Sequence, residues 1–337
     1  MKRAAPLILA LLSAGCSGIQ SADGRDGIEG ALIGNLFDVF LWTTVAVYLF
    51  VLGYLAFAVW RGRGHRRAQA GLQGEPQPES ERKWRIGLIV FSGATALILA
   101  GLTIATWLTD RALAKAELAS PIEIEIIGNQ WWWEVRYQDP VASRIVRTAN
   151  ELHLPVGRNA RITLKSNDVI HSLWVPNLAG KQDLIPGRIS DLVLHPQRTG
   201  VFRAQCAEFC GLQHAKMALD VTVESEAEFG RWKAAQLAPP PIPTGSEALA
   251  GYNLFLNRQC SSCHNVAGTP ASGQVAPDLS HVASRRTIAA GTLPTAHAAL
   301  GAWVADPQAI KPGNNMPKVP LTPAELRAVT AYLETLK

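Results

Sequence analysis

The 337-residue sequence is organised around one short stretch, Cys206-Ala207-Glu208-Phe209-Cys210-Gly211-Leu212-Gln213-His214-Ala215-Lys216-Met217. This stretch places two thiols, an imidazole and a thioether within twelve residues, in a loop that follows a predicted strand. Soft sulfur and nitrogen donors suit copper and zinc, whereas magnesium and calcium prefer oxygen ligands. The stretch therefore predicts a soft-metal site carried by the β-rich region around it.

The donor set favours copper over zinc. A single-copper electron-transfer site uses two His, one Cys and a weak Met, and here a second thiolate is available to bridge two metals. His171 is the best candidate for the missing nitrogen, because a sandwich brings a neighbouring strand end to the loop. A Cys206–Cys210 disulfide, Met217 as core packing and a Cys/His zinc site remain open. Zinc rarely uses a thioether, so Met217 favours a dinuclear copper centre.

The region from Pro121 to Val223 alternates or clusters β-forming residues, with Gly, Pro, Asn and Asp between the runs. This spacing predicts a compact β-sandwich or barrel. The predicted strands are Ile122–Ile127, Trp132–Tyr137, Ala160–Lys165, Ser190–Leu194 and Leu219–Val223.

Two uncharged runs precede the β-rich region, at residues 39–60 and 86–108, and each is long enough to cross a membrane as a helix. We expect them to form a transmembrane hairpin over residues 30–110. Residues 61–85 carry seven Arg or Lys against three Glu, so the positive-inside rule places this loop in the cytoplasm. The chain from about residue 110 onward then lies outside. Because the basic residues are concentrated in the loop, no basic face remains for nucleic acid.

The first sixteen residues have the plan of a secretory signal peptide, with Lys2-Arg3, an apolar run and then Ser13-Ala14-Gly15-Cys16. A Cys directly after small residues resembles a bacterial lipoprotein cleavage site, so Cys16 is a candidate for lipidation. An ordinary signal peptide or an uncleaved tail is the alternative.

A stiff Pro-rich linker at residues 238–245 leads into a helical domain, residues 246–337. The domain contains Cys260-Ser261-Ser262-Cys263-His264, which is the signature for covalent attachment of a c-type haem. The two thiols add to the haem vinyl groups, and the adjacent His binds the iron axially. A redox pair or half a zinc ribbon is disfavoured by that His and by the lack of a second C-x-x-C.

An electron-carrying haem needs a second axial ligand. Met316, in Gly313-Asn314-Asn315-Met316-Pro317, is the remaining Met and is the predicted ligand. His281 and His297 are alternative ligands, although surface or haem-propionate contacts are the better interpretation of both.

Over about residues 30–237 the sequence closely resembles subunit II of cytochrome c oxidase. The motifs that carry this resemblance occur in the family's order, and they are Gly128-Asn129-Gln130-Trp131-Trp132-Trp133, His171-Ser172-Leu173-Trp174-Val175-Pro176, Lys181-Gln182-Asp183-Leu184-Ile185-Pro186-Gly187-Arg188 and the Cys206–Met217 stretch. The resemblance implies a cupredoxin-like β-sandwich over residues 116–237 with a dinuclear copper A (CuA) centre. Residues 246–337 are similar to a class I cytochrome c, which is an all-α domain.

The resemblance also implies a role for each ligand. Cys206 and Cys210 would bridge the two coppers. The other ligands would be His171, His214, Met217 and the backbone carbonyl of Glu208.

Further roles follow from the resemblance alone. The side chain of Glu208 would reach toward a magnesium ion at the border with subunit I. Trp131 would be the surface ring through which an electron enters, and Pro277 would orient His264. Glu81 would be a proton-path entrance, although a solvated Glu beside the neighbouring arginines is the simpler interpretation.

We therefore expect the electron-intake subunit of a proton-translocating haem–copper terminal oxidase in the bacterial inner membrane. Its haem c domain would take electrons from an upstream cytochrome or reductase and pass them through CuA to subunit I, where oxygen is reduced to water. Subunit III is a further expected partner, and the intact copper ligands argue against quinol as the donor. The alternatives are the CuA subunit of a nitric oxide reductase and a stand-alone, membrane-tethered carrier.

Overall fold

A computed structural model of the chain describes residues 18–66, 78–115 and 121–337. The predicted signal peptide at residues 1–16 and the candidate lipidation site Cys16 lie outside the described residues. The chain divides into two compact units, one of residues 32–117 and one that combines the segment up to Ala31 with residues 118–337.

The described residues of the first unit are helical. Helix α1 runs from Ile28 to Arg66 and helix α2 from Pro78 to Lys115, and both are long and apolar enough to cross a membrane. Each extends beyond its predicted apolar run, because polar flanking residues can continue a helix past the hydrocarbon core. The hydroxyl of Thr95 donates to the carbonyl of Phe91 at 2.9 Å, which satisfies it without water.

Residues 122–224 form a sandwich of two five-stranded sheets, as the sequence predicts. In spatial order the first sheet is β3-β2-β1-β5-β8 and the second is β4-β10-β9-β6-β7. The strands are β1 Ile122–Asn129, β2 Trp132–Tyr137, β3 Val146–Ala149, β4 Glu151–Pro155, β5 Ala160–Ser166, β6 His171–Trp174, β7 Gln182–Leu184, β8 Ser190–Leu194, β9 Gly200–Cys206 and β10 Ala218–Glu224. All five predicted strands are present. Strands β3, β4, β6, β7 and β9 were not predicted.

The core of the sandwich lies between the inner faces of the two sheets. Along β2 every second side chain is buried, so Trp133, Val135 and Tyr137 point inward. Leu152 and Val221 meet them from the second sheet and are fully buried. This packing holds rigid the edge of the sandwich from which the metal-binding stretch extends.

Helix α3, Glu226–Leu237, closes the sandwich and was not predicted. It begins with a capping box in which the hydroxyl of Ser225 accepts from the amide of Glu228. The ring of Trp232 stacks on His153 at 4.1 Å, and His153 also contacts Glu224 at 2.9 Å. These contacts give His153 the structural role that its strand position suggests.

Residues 246–337 are helical, as predicted, apart from a two-stranded ladder of β11, Thr287–Ile288, and β12, Leu293–Pro294. The helices are α4 Ser246–Asn257, α5 Cys260–Cys263, α6 His297–Ala305, α7 Pro307–Ile310 and α8 Pro323–Thr335. Helix α8 begins at a capping box, with Thr322 and Glu325 bonded reciprocally and Pro323 in the first turn.

Helices α4 and α8 cross in close contact. A Cβ atom at Gly251 would overlap the carbonyl of Ala328 on α8. The rings of Tyr252 and Phe255 both pack edge-on against Tyr332, with centroids 5.5 Å apart in each pair. Gly251 is therefore required for the backbones of the two helices to approach.

We predict that Gly251→Ala destabilises residues 246–337 by about 1–3 kcal/mol, because the added methyl meets backbone that cannot move aside. Gly301→Ala is the matched control. Gly301 lies inside α6 with its nearest neighbour, Thr330 Oγ1, 3.5 Å from a built Cβ, so alanine should be neutral or stabilising. Pulse proteolysis of the full chain in increasing urea measures both. Equal midpoints for the two variants would refute the crossing.

Candidate metal centre

The metal-binding stretch is a loop closed by two paired strands. Strand β9 ends at Cys206 and β10 begins at Ala218, and the two strands are antiparallel with Gln205 opposite Ala218. The amide of Cys206 donates to the carbonyl of Met217 at 3.0 Å. The first and last donors of the predicted site are therefore held side by side by backbone hydrogen bonds.

Inside this loop the three sulfur atoms lie close together. The Sγ atoms of Cys206 and Cys210 are 3.8 Å apart, and Cys210 Sγ is 3.9 Å from Met217 Sδ. A disulfide requires about 2.05 Å between sulfurs, so the two thiols are not bonded to each other. All three side chains are buried.

Two imidazoles face the thiols through their Nδ1 atoms. His214 Nδ1 lies 3.6 Å from Cys210 Sγ, and His171 Nδ1 lies 3.9 Å from Cys206 Sγ. His171 reaches the loop because β6 pairs with β9, with Leu173 opposite Cys206. The backbone carbonyl of Glu208 lies 3.3 Å from Cys206 Sγ. The structure thus brings together all six predicted ligand groups.

Asp168 fixes the orientation of His171. Its carboxylate is 2.7 Å from His171 Nε2, which leaves Nδ1 directed at the thiols. Burial lowers the pKa of His171, but hydrogen bonds with Asp168 and Cys206 outweigh it and raise the pKa overall. The ring also packs against Gly128, where a Cβ atom would stand 2.7 Å from His171 Cδ2. Gly128 is therefore needed for the ring to fit.

The electrostatics of the thiol pair fit a cation. The hydrogen bond with Cys210 lowers the pKa of Cys206 to about 3. The same contact, together with burial, raises the pKa of Cys210, because a second thiolate would face the first at short range. A bound metal ion supplies the positive charge that allows both thiols to ionise. The soft donors, their burial and their spacing fit copper.

Glu208, whose side chain was expected near a subunit border, shares a lysine partner with Asp183. Lys181 Nζ lies between them, 3.3 Å from Asp183 Oδ1 and 3.7 Å from Glu208 Oε2. A hydrogen bond with Ser172 lowers the pKa of Asp183. Both carboxylates remain about two-fifths exposed, so the pair faces outward from the sandwich.

Trp131 is not the surface ring that the sequence suggested. Only 8% of it is exposed, and its Nε1 donates to the carbonyl of Cys210 at 2.9 Å. Residues of the C-terminal domain cover this corner, since Lys311 donates to the carbonyl of Trp131 and Asn315 to that of Gln130. Trp131 does contact the metal-binding loop, but the fused domain covers it from outside.

The C-x-x-C-H motif lies at helix α5, with His264 directly after it. His264 Nδ1 lies 2.7 Å from the carbonyl of Pro277, as expected, which leaves Nε2 as the nitrogen for iron. Burial lowers the pKa of His264, so the ring is held in the neutral form that binds metal. No disulfide joins Cys260 and Cys263. These features fit covalent attachment of a haem.

A cavity of about 400 Å³ opens beside this motif. Its lining residues are Asn257, Arg258, Gln259, Ser262, Val319 and Pro320. Met316 lies on the segment that leads to this wall. Its amide donates to Asn314 Oδ1 at 2.8 Å and its carbonyl accepts from Gln308 at 2.9 Å. The motif contributes Ser262 to the cavity wall, and Val319 and Pro320 of that wall follow Met316 by three and four residues.

The two alternative histidines have other surroundings. His281 is 3% exposed, so a surface position is wrong for it, and its Nε2 has no partner among the described residues. His297 is exposed and pairs with Glu334 at 3.0 Å. Glu81 lies in α2 with an exposed side chain.

Two functional residues were missed by the sequence analysis. Asp168 stands three residues before His171, and that spacing was visible, but the turn that folds it back onto the imidazole was not. Lys311 donates to the carbonyls of Trp131 and Lys216, and the residues around it in the sequence do not indicate these contacts, because both partners are distant in the chain.

Two protein-family models match this chain: cytochrome C oxidase subunit II, periplasmic domain, over residues 139–225, and cytochrome c, over residues 248–337. Cytochrome c oxidase subunit 2 of Bacillus sp. strain PS3 is 32% identical over 268 residues, which is 74% of each chain. Cytochrome c oxidase subunit 2 of Alkalihalophilus pseudofirmus is 34% identical over 217 residues, 64% of this chain. That match spans only about three-fifths of the relative, 61% of its length.

Among solved structures, the periplasmic domain of subunit II of cytochrome oxidase from Bradyrhizobium japonicum is 28% identical. It covers 35% of this chain and 95% of its own, with a TM-score of 0.33.

We predict that Asp168→Asn weakens copper retention about 10- to 100-fold, because an amide cannot hold the His171 ring as a carboxylate does. Loss of copper from the full chain to a competing chelator measures the change. Asp191→Asn is the control, since Asp191 is exposed on β8 and contacts only Thr163 at 3.2 Å among the hydrogen bonds described. Equal retention by the two variants would show that Asp168 does not support the ligand.

Proposed function

This chain belongs to the cytochrome c oxidase subunit 2 family, and we propose that it is the electron-intake subunit of a haem–copper terminal oxidase. One observation carries the proposal. Three sulfurs, two imidazoles and a carbonyl converge on the 206–217 loop, in a chain that also presents a C-x-x-C-H motif with an oriented histidine. Both sets of donors suit one-electron redox groups.

The copper centre would be dinuclear. Cys206 and Cys210 would share two metal ions, and His171 lies beside Cys206 while Met217 lies beside Cys210. A thiolate-bridged copper pair supplies one-electron transfer with little reorganisation, because the charge is spread over both ions. The protein holds its donors in a buried, hydrogen-bonded frame, which limits the motion of the ligands between redox states.

The order of transfer would follow the contact between the two domains. The cytochrome domain accepts electrons from a periplasmic or membrane-bound donor, because it covers Trp131 and closes that corner to a soluble carrier. It then passes them to the copper domain through the residues it touches there. Trp131 would act from within this contact, through its hydrogen bond to Cys210.

Oxygen reduction and proton pumping would occur in a partner, subunit I, and subunit III would complete the complex. The apolar helices α1 and α2 show no group of His, Cys, Asp or Glu able to hold a metal within the residues described. The outward-facing side chain of Glu208 would bind magnesium at the border with that partner. Glu81 at the start of α2 would border a proton path.

The orientation would place both redox domains on the outer side of the bacterial inner membrane. The basic residues within positions 61–85 favour the cytoplasm, by the positive-inside rule. Residues 118–337 would then face the periplasm, where c-type haem attachment and the electron donor are found.

We predict that Cys210→Ser removes copper and abolishes oxidase turnover while the c-type haem spectrum stays intact, because the hydroxyl is a poor bridge between soft metals. Metal analysis, absorption spectra and oxygen uptake of the purified complex measure these effects. Ala215→Ser, at an exposed position of the same loop, is the control and should behave as wild type. Normal turnover in Cys210→Ser would disprove the proposal.

Substitution of each internal methionine in turn should affect one redox centre and leave the other unchanged. Met316→Leu should lower the midpoint potential of haem c, because a thioether ligand raises it, and should leave copper content unchanged. Met217→Leu should alter the copper spectrum and leave the haem potential unchanged. Redox titration of both variants measures the difference. An unaltered haem potential in Met316→Leu would place the sixth ligand elsewhere.

A further inference from the structure

Lys311 of the cytochrome domain is buried against the copper domain. Only 3% of the residue is exposed, and its ammonium donates to three backbone carbonyls. Those of Trp131 and Lys216 lie at 2.9 Å each and that of Ala289 at 3.3 Å. Two of the three acceptors belong to the copper domain, so the side chain joins the two domains.

A buried ammonium is costly unless each of its three protons has an acceptor. Here the three carbonyls supply that number, and no carboxylate within salt-bridge distance takes part among the described residues. Burial lowers the pKa of Lys311 to about 7. The three hydrogen bonds therefore offset the cost of burying Lys311. The three carbonyls surround its ammonium only when the two domains are docked.

The cytochrome domain holds both neighbours of Met217. On one side, the carbonyl of Lys216 accepts from Lys311. On the other, the amide of Ala218 donates to the carbonyl of Ala290 at 3.1 Å. Met217 itself is fully buried and lies 3.9 Å from the thiol of Cys210. The peptide that carries the thioether is thus bonded on both sides to another domain.

Contacts outside the copper loop keep the docked arrangement in register. The hydroxyl of Thr287 donates to Asp220 at 2.5 Å, and Arg285 lies 3.6 Å from Glu151, with both members of that pair buried. These directional contacts orient the domain, whereas a merely tethered domain would sample many positions.

We propose that the cytochrome domain is a structural part of the copper centre, in which Lys311 and the carbonyl of Ala290 clamp the backbone on either side of Met217. The identity of the metal rests on the proposed function, but the clamp itself does not. Lys311 is a positioning residue in this account, because it acts on the thioether ligand through the peptide of Lys216. Undocking would release the weakest ligand and so change the spectrum and potential of the copper.

Lys311→Met tests the clamp, because it keeps an unbranched side chain only one atom shorter and removes all three donors. In the full chain loaded with copper and haem, amide hydrogen exchange at Ala218 should accelerate about tenfold or more. The copper absorption should shift and the haem spectrum should stay unchanged. Lys337→Met is the control, since it removes the same charge from an exposed position of the same domain. Exchange at Ala218 and a copper spectrum that both match the control would overturn the proposal.

A second variant guards against misfolding of the first. Thr287→Val keeps the side-chain shape and removes only the contact with Asp220, which is not a predicted ligand, and should give smaller changes in the same two measurements. No change in either would overturn the clamp as well. Amide exchange at Ala218 can be measured whether or not the chain holds copper. If the wild-type chain binds no copper, the proposed function is refuted. The exchange rates of the variants still test the clamp in that case.

Discussion

The hydrogen bond between the amide of Cys206 and the carbonyl of Met217 is the constraint on which the rest of the site depends. It joins the end of β9 to the residue before β10 and closes the intervening loop. Without it, donors eleven residues apart in the chain would have to be brought together at a large cost in backbone entropy. With it, the sandwich core orders the loop, and each donor only needs the correct local turn.

The second consequence of this closure is an electrostatic one. Two thiols confined at 3.8 Å cannot both be ionised without a neighbouring positive charge. The form of the site in which both thiols are ionised is therefore stable only with a bound cation. The soft sulfur and nitrogen donors favour a soft metal ion. His171 is oriented for the same purpose. Its Nε2 is bonded to Asp168, so its Nδ1 is directed at the thiols. Metal binding therefore stabilises the folded loop, and the folded loop in turn favours metal binding.

Much of this could be predicted from the sequence, because the informative residues are local. The spacing within 206–217 and within 260–264 predicts the donors, and strict alternation predicts strands such as β2. Four of the missed strands, β3, β4, β6 and β7, are short or lie at sheet edges, where tertiary pairing decides and periodicity is weak. Strand β9 has seven residues at the centre of its sheet and fits neither description. Trp131 was placed at the surface because nothing in its neighbourhood shows that Lys311, 180 residues later, donates to its carbonyl.

The same long-range contacts decide how the two domains cooperate. The Pro-rich linker is not a free tether, since Pro239 packs against Gly268, where a Cβ atom would stand only 2.8 Å from the Pro239 Cβ. A short, packed linker restricts where the cytochrome domain can dock, and the buried Lys311 then selects one orientation, because its three acceptors coincide in that orientation alone. Electron transfer rates depend steeply on distance, so one fixed orientation serves the reaction better than a high local concentration of a mobile donor. The fixed orientation requires a buried charge. Because that charge needs hydrogen-bond acceptors, the ammonium of Lys311 faces carbonyls from both domains.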